Sequence, residues 1–341
     1  MIAPSSGAGE RAAEDSPAKG IVLMLAAMAV VPVMDGVAKH LSASFPVLQV
    51  VWARYFFHLL ILFPVVLWRH GAGALLLRRP WLQLIRGGFL LGSTILFFAA
   101  IAVMPIADAL ALVFVAPLVV TALSPVVLGE RVGVRRWSAV SVGFIGVLVI
   151  VRPGLSVFHP GMLLALGAGT IYAFYSLATR RLSGSAPPLV TLAYTALLGA
   201  VVMSAAVPAV WITPAATDFA WMALMGALAA GGHFLIIKSF EHAEASLLAP
   251  LGYSEIVMAT VVGYLAFGDF PDFWTWVGVV IVISSGVYVS LRERKAGVAA
   301  AGAGCTPAKK HGYKIPGVKA GNTSIQVKTV TPARGAERSR G

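Results

Sequence analysis

The octapeptide KHLSASFP, Lys39 to Pro46, returns 141 residues later as RRLSGSAP, Arg180 to Pro187, and each copy lies between two long apolar segments. A second echo runs at an offset of 139. LGERVGVRRW, Leu128 to Trp137, aligns with FGDFPDFWTW, Phe267 to Trp276, with glycine on glycine, acid on acid and tryptophan on tryptophan. The chain is therefore two copies of one unit. The copies differ in charge: the first connection carries Arg131, Arg135 and Arg136, whereas its counterpart has no basic residue and adds Asp269 and Asp272. Opposite charge bias in two copies of one apolar unit predicts an inverted membrane repeat, an architecture that suits a secondary transporter.

The apolar runs are about 20 residues long, enough to span a ~30 Å hydrocarbon core. Only 12% of residues are charged and 58% are hydrophobic. The basic excess does not point to nucleic acid, because eight of the 26 Lys and Arg lie in residues 296–341 and most others sit in short loops or at segment ends. The one cysteine, Cys305, falls in that polar tail, so no disulfide framework or cysteine metal site is expected. Residues 1–19 contain Glu10, Glu14 and Asp15 and lack a basic leader, so they read as a disordered cytoplasmic tail and not a cleavable signal.

Apolar runs and breakers predict an all-α integral membrane fold of ten helices, at about 20–40, 46–68, 84–103, 108–128, 137–151, 159–179, 188–207, 219–239, 245–267 and 273–291. Two five-helix repeats follow, at 20–152 and 159–291, with a disordered basic cytoplasmic tail at 296–341. Arginines and lysines crowd the connections on one side, and only Arg152 lies opposite. The positive-inside rule then places both termini in the cytoplasm, and the odd number of helices per repeat turns the second copy over. Gly88 with Gly92, and Gly231 with Gly232, are candidates for close helix contact. Pro32, Pro117, Pro125 and Pro250 are either broken helices around a site or ordinary kinks.

Charges at membrane depth cost about 2.5–3.5 kcal/mol on insertion scales, so each needs a reason to persist. Glu255 lies near the middle of the ninth stretch. Asp35 and Lys39 share one face of the first helix, Arg54 and His58 one face of the second, and Asp35 and Arg54 are placed to pair. At the 141-residue offset Asp35 becomes Ser176 and Arg54 becomes Thr195: the scaffold repeats and the charges do not. Asp35, Arg54 and Glu255 are therefore the leading substrate or coupling residues, against a packing ion pair as the competing reading. His58 is a secondary candidate for proton handling. Lys39, Arg86, Lys238 and Asp108 lie near span ends, where snorkelling or capping explains them. Aromatic residues including Tyr253 can stack on a flat substrate, although packing explains any one of them as well.

Residues 20–295 resemble the drug/metabolite transporter superfamily, in the branch with two EamA repeats. The resemblance rests on MDGVAKHLSASFPVLQVVWARYFFHLL, IRGGFLLGSTILFFAAIAVMPIADALALVFVAPL, LGERV, SLLAPLGYSEIVMATVVGYLAFGDFPD and SSGVYVSLRER. It implies ten helices, two inverted repeats and a central site open alternately to either side. The first helix pair is most similar to bacterial riboflavin importers and S-adenosylmethionine carriers, which adds Gln49 and Lys39 to Asp35 and Arg54 as carried-over positions. Gly268–Asp269 departs mildly from the Gly–Glu frequent in the family.

The expected function is alternating-access transport of a small organic metabolite across a bacterial inner membrane, with riboflavin uptake as the first substrate and S-adenosylmethionine or another exchanged or exported metabolite as the alternative. A planar, largely uncharged substrate suits an aromatic cavity, whereas S-adenosylmethionine would use Asp35 and Glu255 as counter-charges. An integral membrane enzyme is the competing class, but HExxH, GxSxG, an Asp-rich metal cluster and GxxxxGK[ST] are all missing from the sequence, so no metal or cofactor is expected. The partners are a small-molecule substrate and the lipid bilayer. Homodimer formation, transport direction and coupling ion stay open.

Overall fold

The computed structural model describes residues 17–77, 80–129, 133–152, 159–182 and 185–303. Residues up to Val298 form one contact unit; of the second unit, Ala299–Gly341, only 299–303 are described. Every regular element among the described residues is helical. In order these are α1 (Pro17–Ser42), α2 (Val47–His70), α3 (Pro80–Ile101), α4 (Ile106–Val113), α5 (Ala116–Val127), α6 (Val134–Val151), α7 (Pro160–Arg181), α8 (Pro188–Ala206), α9 (Ala216–His242), α10 (Ala245–Leu248), α11 (Glu255–Phe267) and α12 (Phe273–Ala303). Eight helical stretches are long and apolar enough to cross a membrane, and two shorter apolar helices, Trp137–Val151 and Phe273–Tyr288, accompany them. Two expected boundaries shift. Helix α1 begins inside the expected N-terminal tail, with proline at its start, where a missing N–H costs nothing. Helix α12 runs on through 296–303, where GVAAAGA is alanine-rich and alanine has the best helix propensity. The rest of both tails, 1–16 and 304–341, lies outside the described residues.

The fourth and ninth apolar stretches are each broken, and these breaks shape the site. Between α4 and α5 the helix is interrupted at Phe114 and Val115, because Pro117 has no N–H to offer the Val113 carbonyl. Between α10 and α11 the chain passes through a 3-10 turn, Ala249–Ser254, that contains Pro250. Pro32 and Pro125, by contrast, sit inside continuous helices. The two broken stretches are the fourth of each copy. At the 139-residue offset Phe114 corresponds to Tyr253, and the two rings meet edge to face with centroids 5.2 Å apart. The same offset relates Gly129 and Gly268, whose φ values of 71° and 74° end the two stretches in the left-handed conformation that glycine tolerates.

Packing joins the copies. The largest helix contacts are α1 on α9, α3 on α7, and α2 on α8 and α9. By sequence correspondence, α1 on α9 and α3 on α7 put the first helix of each copy on the third helix of the other. The α2–α8 contact puts second on second, the pattern a two-fold axis produces. Small residues let backbones approach at these contacts, and of the glycines singled out above Gly232 is one: a Cβ there would lie 3.0 Å from Val31 Cγ2 on α1. A Cβ on Gly88 or Gly92 would meet only ordinary contacts and one on Gly231 nothing within 4 Å, whereas on Gly226 it would lie 2.2 Å from the Phe57 Cβ and 2.9 Å from the His58 nitrogen. Those atoms belong to the α2 frame and cannot swing aside, so Gly226→Ala must push α9 off α2. Overpacking of this kind costs about 1–3 kcal/mol, and the expected outcome is a lowered thermal unfolding midpoint in detergent.

One end of the bundle is tied by polar contacts between connections. Lys39 donates to the Asp269 carboxylate at 2.6 Å and to the Met104 carbonyl at 3.0 Å, and lies 4.9 Å from the centre of the Phe267 ring. Gln49 donates to the Ile212 carbonyl at 2.7 Å and accepts from the Ile212 N–H at 2.9 Å. Arg152 pairs with Asp272. Partial burial works against the Asp272 charge, but the Thr275 backbone N–H and Arg152 outweigh it and hold this carboxyl below its ordinary value.

Candidate functional site

A cavity of about 590 Å³ lies between the copies, within the range of small-molecule sites. Its wall takes Met24, Met28 and Asp35 from α1, Arg54 from α2, Thr94, Phe97 and Phe98 from α3, and Phe114 from the first break. Tyr172, Ser176 and Arg180 come from α7, His233 and Phe240 from α9, and Tyr253 and Glu255 from the second break. The lining sits toward the N-terminal end of α1 and the C-terminal ends of α7 and α9, and exposed Arg180 and Phe240 mark a mouth there. The end tied by Lys39 and Asp269 is opposite.

Four of the candidate residues, Asp35, Arg54, Tyr253 and Glu255, come together on this wall. Asp35 and Arg54 are buried, at 2% and 8% exposed. They do not form the ion pair expected from their placement. Arg54 turns toward α3, donating from Nη1 to Thr94 Oγ1 at 2.6 Å, with the Tyr55 and Phe98 ring centres 5.3 and 5.6 Å from its guanidinium carbon. Its Nε is buried with no hydrogen-bond partner among the described residues. Neither Asp35 nor Glu255 makes a side-chain hydrogen bond or salt bridge among those residues. Glu255 is the first residue of α11 and not the middle of an unbroken helix. A carboxylate there meets the positive end of the helix dipole, worth about 0.3–1 kcal/mol, which helps explain a charge at this depth.

The other three candidates are not brought to the cavity wall. Lys39 and Gln49 belong to the tied end. His58 is 3% exposed behind the wall, its ring centroid 5.5 Å from that of His233. His233 and Tyr172, which nothing in the sequence marks, also line the cavity, and Arg86 departs from the span-end role expected of it. Arg86 is in fact 4% exposed. It donates to Thr179 Oγ1 at 2.7 Å, Tyr175 Oη at 2.7 Å, Thr195 Oγ1 at 3.0 Å and the Thr191 carbonyl at 3.3 Å. Hydroxyls on α7 and α8 hold it inward, so it does not reach for the interface. Thr195 is the counterpart of Arg54, so a guanidinium stands at the equivalent place of the second copy after all, supplied by α3. Ser176, the counterpart of Asp35, also lines the cavity.

This lining can hold a solute that is both charged and aromatic: two carboxylates with no salt bridge among the described residues, a pinned guanidinium, several rings and hydroxyls. No group of three or more His, Cys, Asp or Glu side chains converges on a metal position among the described residues.

Helices of this length and hydropathy around such a cavity define a multi-pass membrane protein of the small-solute transporter class. Residues 18–152 and 159–291 each match the model of the EamA-like transporter family, and the chain belongs to that family, within the drug/metabolite transporter superfamily. It is 28% identical over 276 residues to the S-adenosylmethionine uptake transporter of Rickettsia prowazekii, covering 81% of this chain and 94% of that one. It is also 28% identical over 284 residues to the riboflavin transporter of Vibrio cholerae, covering 82% and 95%. One crystal structure shares the fold with a TM-score of 0.59 at 20% identity, covering 82% of this chain and 99% of the other.

Proposed function

We propose that the protein is a secondary transporter that takes up an amphoteric, aromatic metabolite of the S-adenosylmethionine class by alternating access across the bacterial inner membrane. In this reading there are ten spans in two inverted repeats, both termini are cytoplasmic, and the cavity mouth at Arg180 and Phe240 faces the cytoplasm. The observation that carries it is the pair Asp35 and Glu255, two carboxylates that make no side-chain hydrogen bond or salt bridge among the described residues, on one wall with Arg54. A sulfonium or ammonium group answers the acids, a carboxylate answers Arg54, and a purine stacks on Phe97, Phe114 or Tyr253. This lining moves S-adenosylmethionine ahead of riboflavin, the substrate the sequence put first. Riboflavin is the second reading, favoured by the same rings and by the Vibrio cholerae relative.

The test is counterflow in proteoliposomes. Vesicles preloaded with unlabelled S-adenosylmethionine should exchange labelled S-adenosylmethionine saturably, and riboflavin should compete weakly. Saturable riboflavin exchange without S-adenosylmethionine exchange reverses the order, and exchange of neither solute by well-folded protein sinks both.

A further inference from the structure

His58 and His233 face each other across the α2–α9 contact, with ring planes 38° apart. Only His233 reaches the cavity. Its Nδ1 lies 2.8 Å from the Ala229 carbonyl one turn back. A carbonyl only accepts, so Nδ1 carries the hydrogen, and Nε2 presents a lone pair. The His58 Nε2 is buried with no hydrogen-bond partner among the described residues, a state that buried polar groups rarely occupy without a reason. One imidazole thus meets the cavity with a bare nitrogen, and a second stands behind it with a nitrogen left open.

Arg54 from α2 acts on both rings and Arg86 from α3 on His233, while the carboxylates Asp35 from α1 and Glu255 from α11 stand elsewhere on the cavity wall. Tyr194, the titratable group of α8, is committed to the Leu75 carbonyl, and α10 has no titratable side chain. An added proton therefore places a third cation near two guanidinium groups, and their repulsion acts at a contact between the copies that must slide if they rock. We propose that the His58–His233 pair is the proton-binding site that couples transport: Nε2 of His233 takes one proton from water while the cavity opens to one side, forming an imidazolium, and releases it to water once the cavity opens to the other, once per cycle. This rests on the transporter reading and names its coupling ion.

The experiment uses full-length protein in proteoliposomes with the voltage clamped by potassium and valinomycin. Labelled S-adenosylmethionine, with riboflavin in parallel, is followed under a pH difference of about one unit. One proton per substrate gives about tenfold accumulation, since a tenfold ratio balances a tenfold proton ratio. His233→Asn keeps an amide donor for the Ala229 carbonyl and removes the titratable nitrogen; His58→Gln does the same for its partner. In each, the ratio of gradient-driven accumulation to counterflow should fall about tenfold. Tenfold accumulation by the double variant, or no gradient-driven accumulation by a wild type that exchanges substrate, overturns the proposal. Absence of counterflow in the wild type sinks the transporter reading and this one with it. For a variant that does not reconstitute, calorimetry in two buffers of different ionisation enthalpy counts protons exchanged on S-adenosylmethionine binding. The variant count should be lower by about one, and an unchanged count overturns the assignment.

Discussion

In the proposed S-adenosylmethionine reading, Glu255→Gln is expected to abolish uptake while leaving insertion and thermal stability near those of the wild type. The glutamine has the same shape, and Glu255 makes no hydrogen bond or salt bridge among the described residues, so the substitution removes a charge without breaking a contact. A packing role predicts little effect from such a change. If the carboxylate is the counter-charge of a bound cation, removing it costs the 2–5 kcal/mol seen when one partner of a desolvated charge pair is lost, which is about 30-fold to several thousand-fold in affinity. Arg54→Ala should be as damaging to a solute that carries a carboxylate. It also empties the space between Tyr55 and Phe98 and removes the shorter of the two hydrogen bonds that Thr94 Oγ1 accepts, leaving the one from the Tyr55 hydroxyl, so some loss of stability accompanies it. The informative split lies between solutes: Glu255→Gln should raise KM for S-adenosylmethionine far more than for riboflavin, which has no cation to answer. Counterflow with both solutes, paired with scanning fluorimetry, reads this directly. Normal transport by both variants would refute the site.

The apolar runs made the helical stretches legible, and the two echoes located both copies, because membrane spans need length and composition that any window of sequence reveals. Asp35, Arg54 and Glu255 stood out for the same reason: a charge inside such a run is visible without knowing what it touches. What stayed hidden depends on neighbours far away in sequence. Arg86 looks like an interface residue until α7 and α8 are seen to offer four oxygens, from residues 89 to 109 positions away. His233 is an ordinary helical histidine until His58 is found across from it. Nothing local separates Pro117 and Pro250, which sit at breaks, from Pro32 and Pro125, which do not. The repeat offers one usable signal: Phe114 maps onto Tyr253, and a reader who carried the second echo backward would have reached both breaks. The Lys39–Asp269 bond joins one residue from each echo, yet a separation of 230 positions in the sequence hides it.

That bond carries the second large effect. Lys39 gathers the end of α1, the α3–α4 turn and the α11–α12 turn through Asp269, Met104 and Phe267, closing the end opposite the cavity mouth. Alternating access requires these three connections to part. A hydrogen bond to a charged group contributes about 1.5–3 kcal/mol, and partial exposure, 15% for Lys39 and 29% for Asp269, screens it toward the lower figure. Asp269→Asn keeps the shape and removes the charge, so the population opened at this end should rise about tenfold. A reporter follows from the cavity wall: Leu110→Cys in a Cys305→Ser background, labelled by a membrane-impermeant maleimide applied from the Lys39 side. Labelling should quicken about tenfold in Asp269→Asn and similarly in Lys39→Met. The double variant should label no faster than either single one, because each substitution breaks the same latch and their effects cannot add. Additive acceleration would mean that the two residues act through separate contacts, and unchanged labelling would mean that this end is held shut by the apolar packing around Phe267 alone.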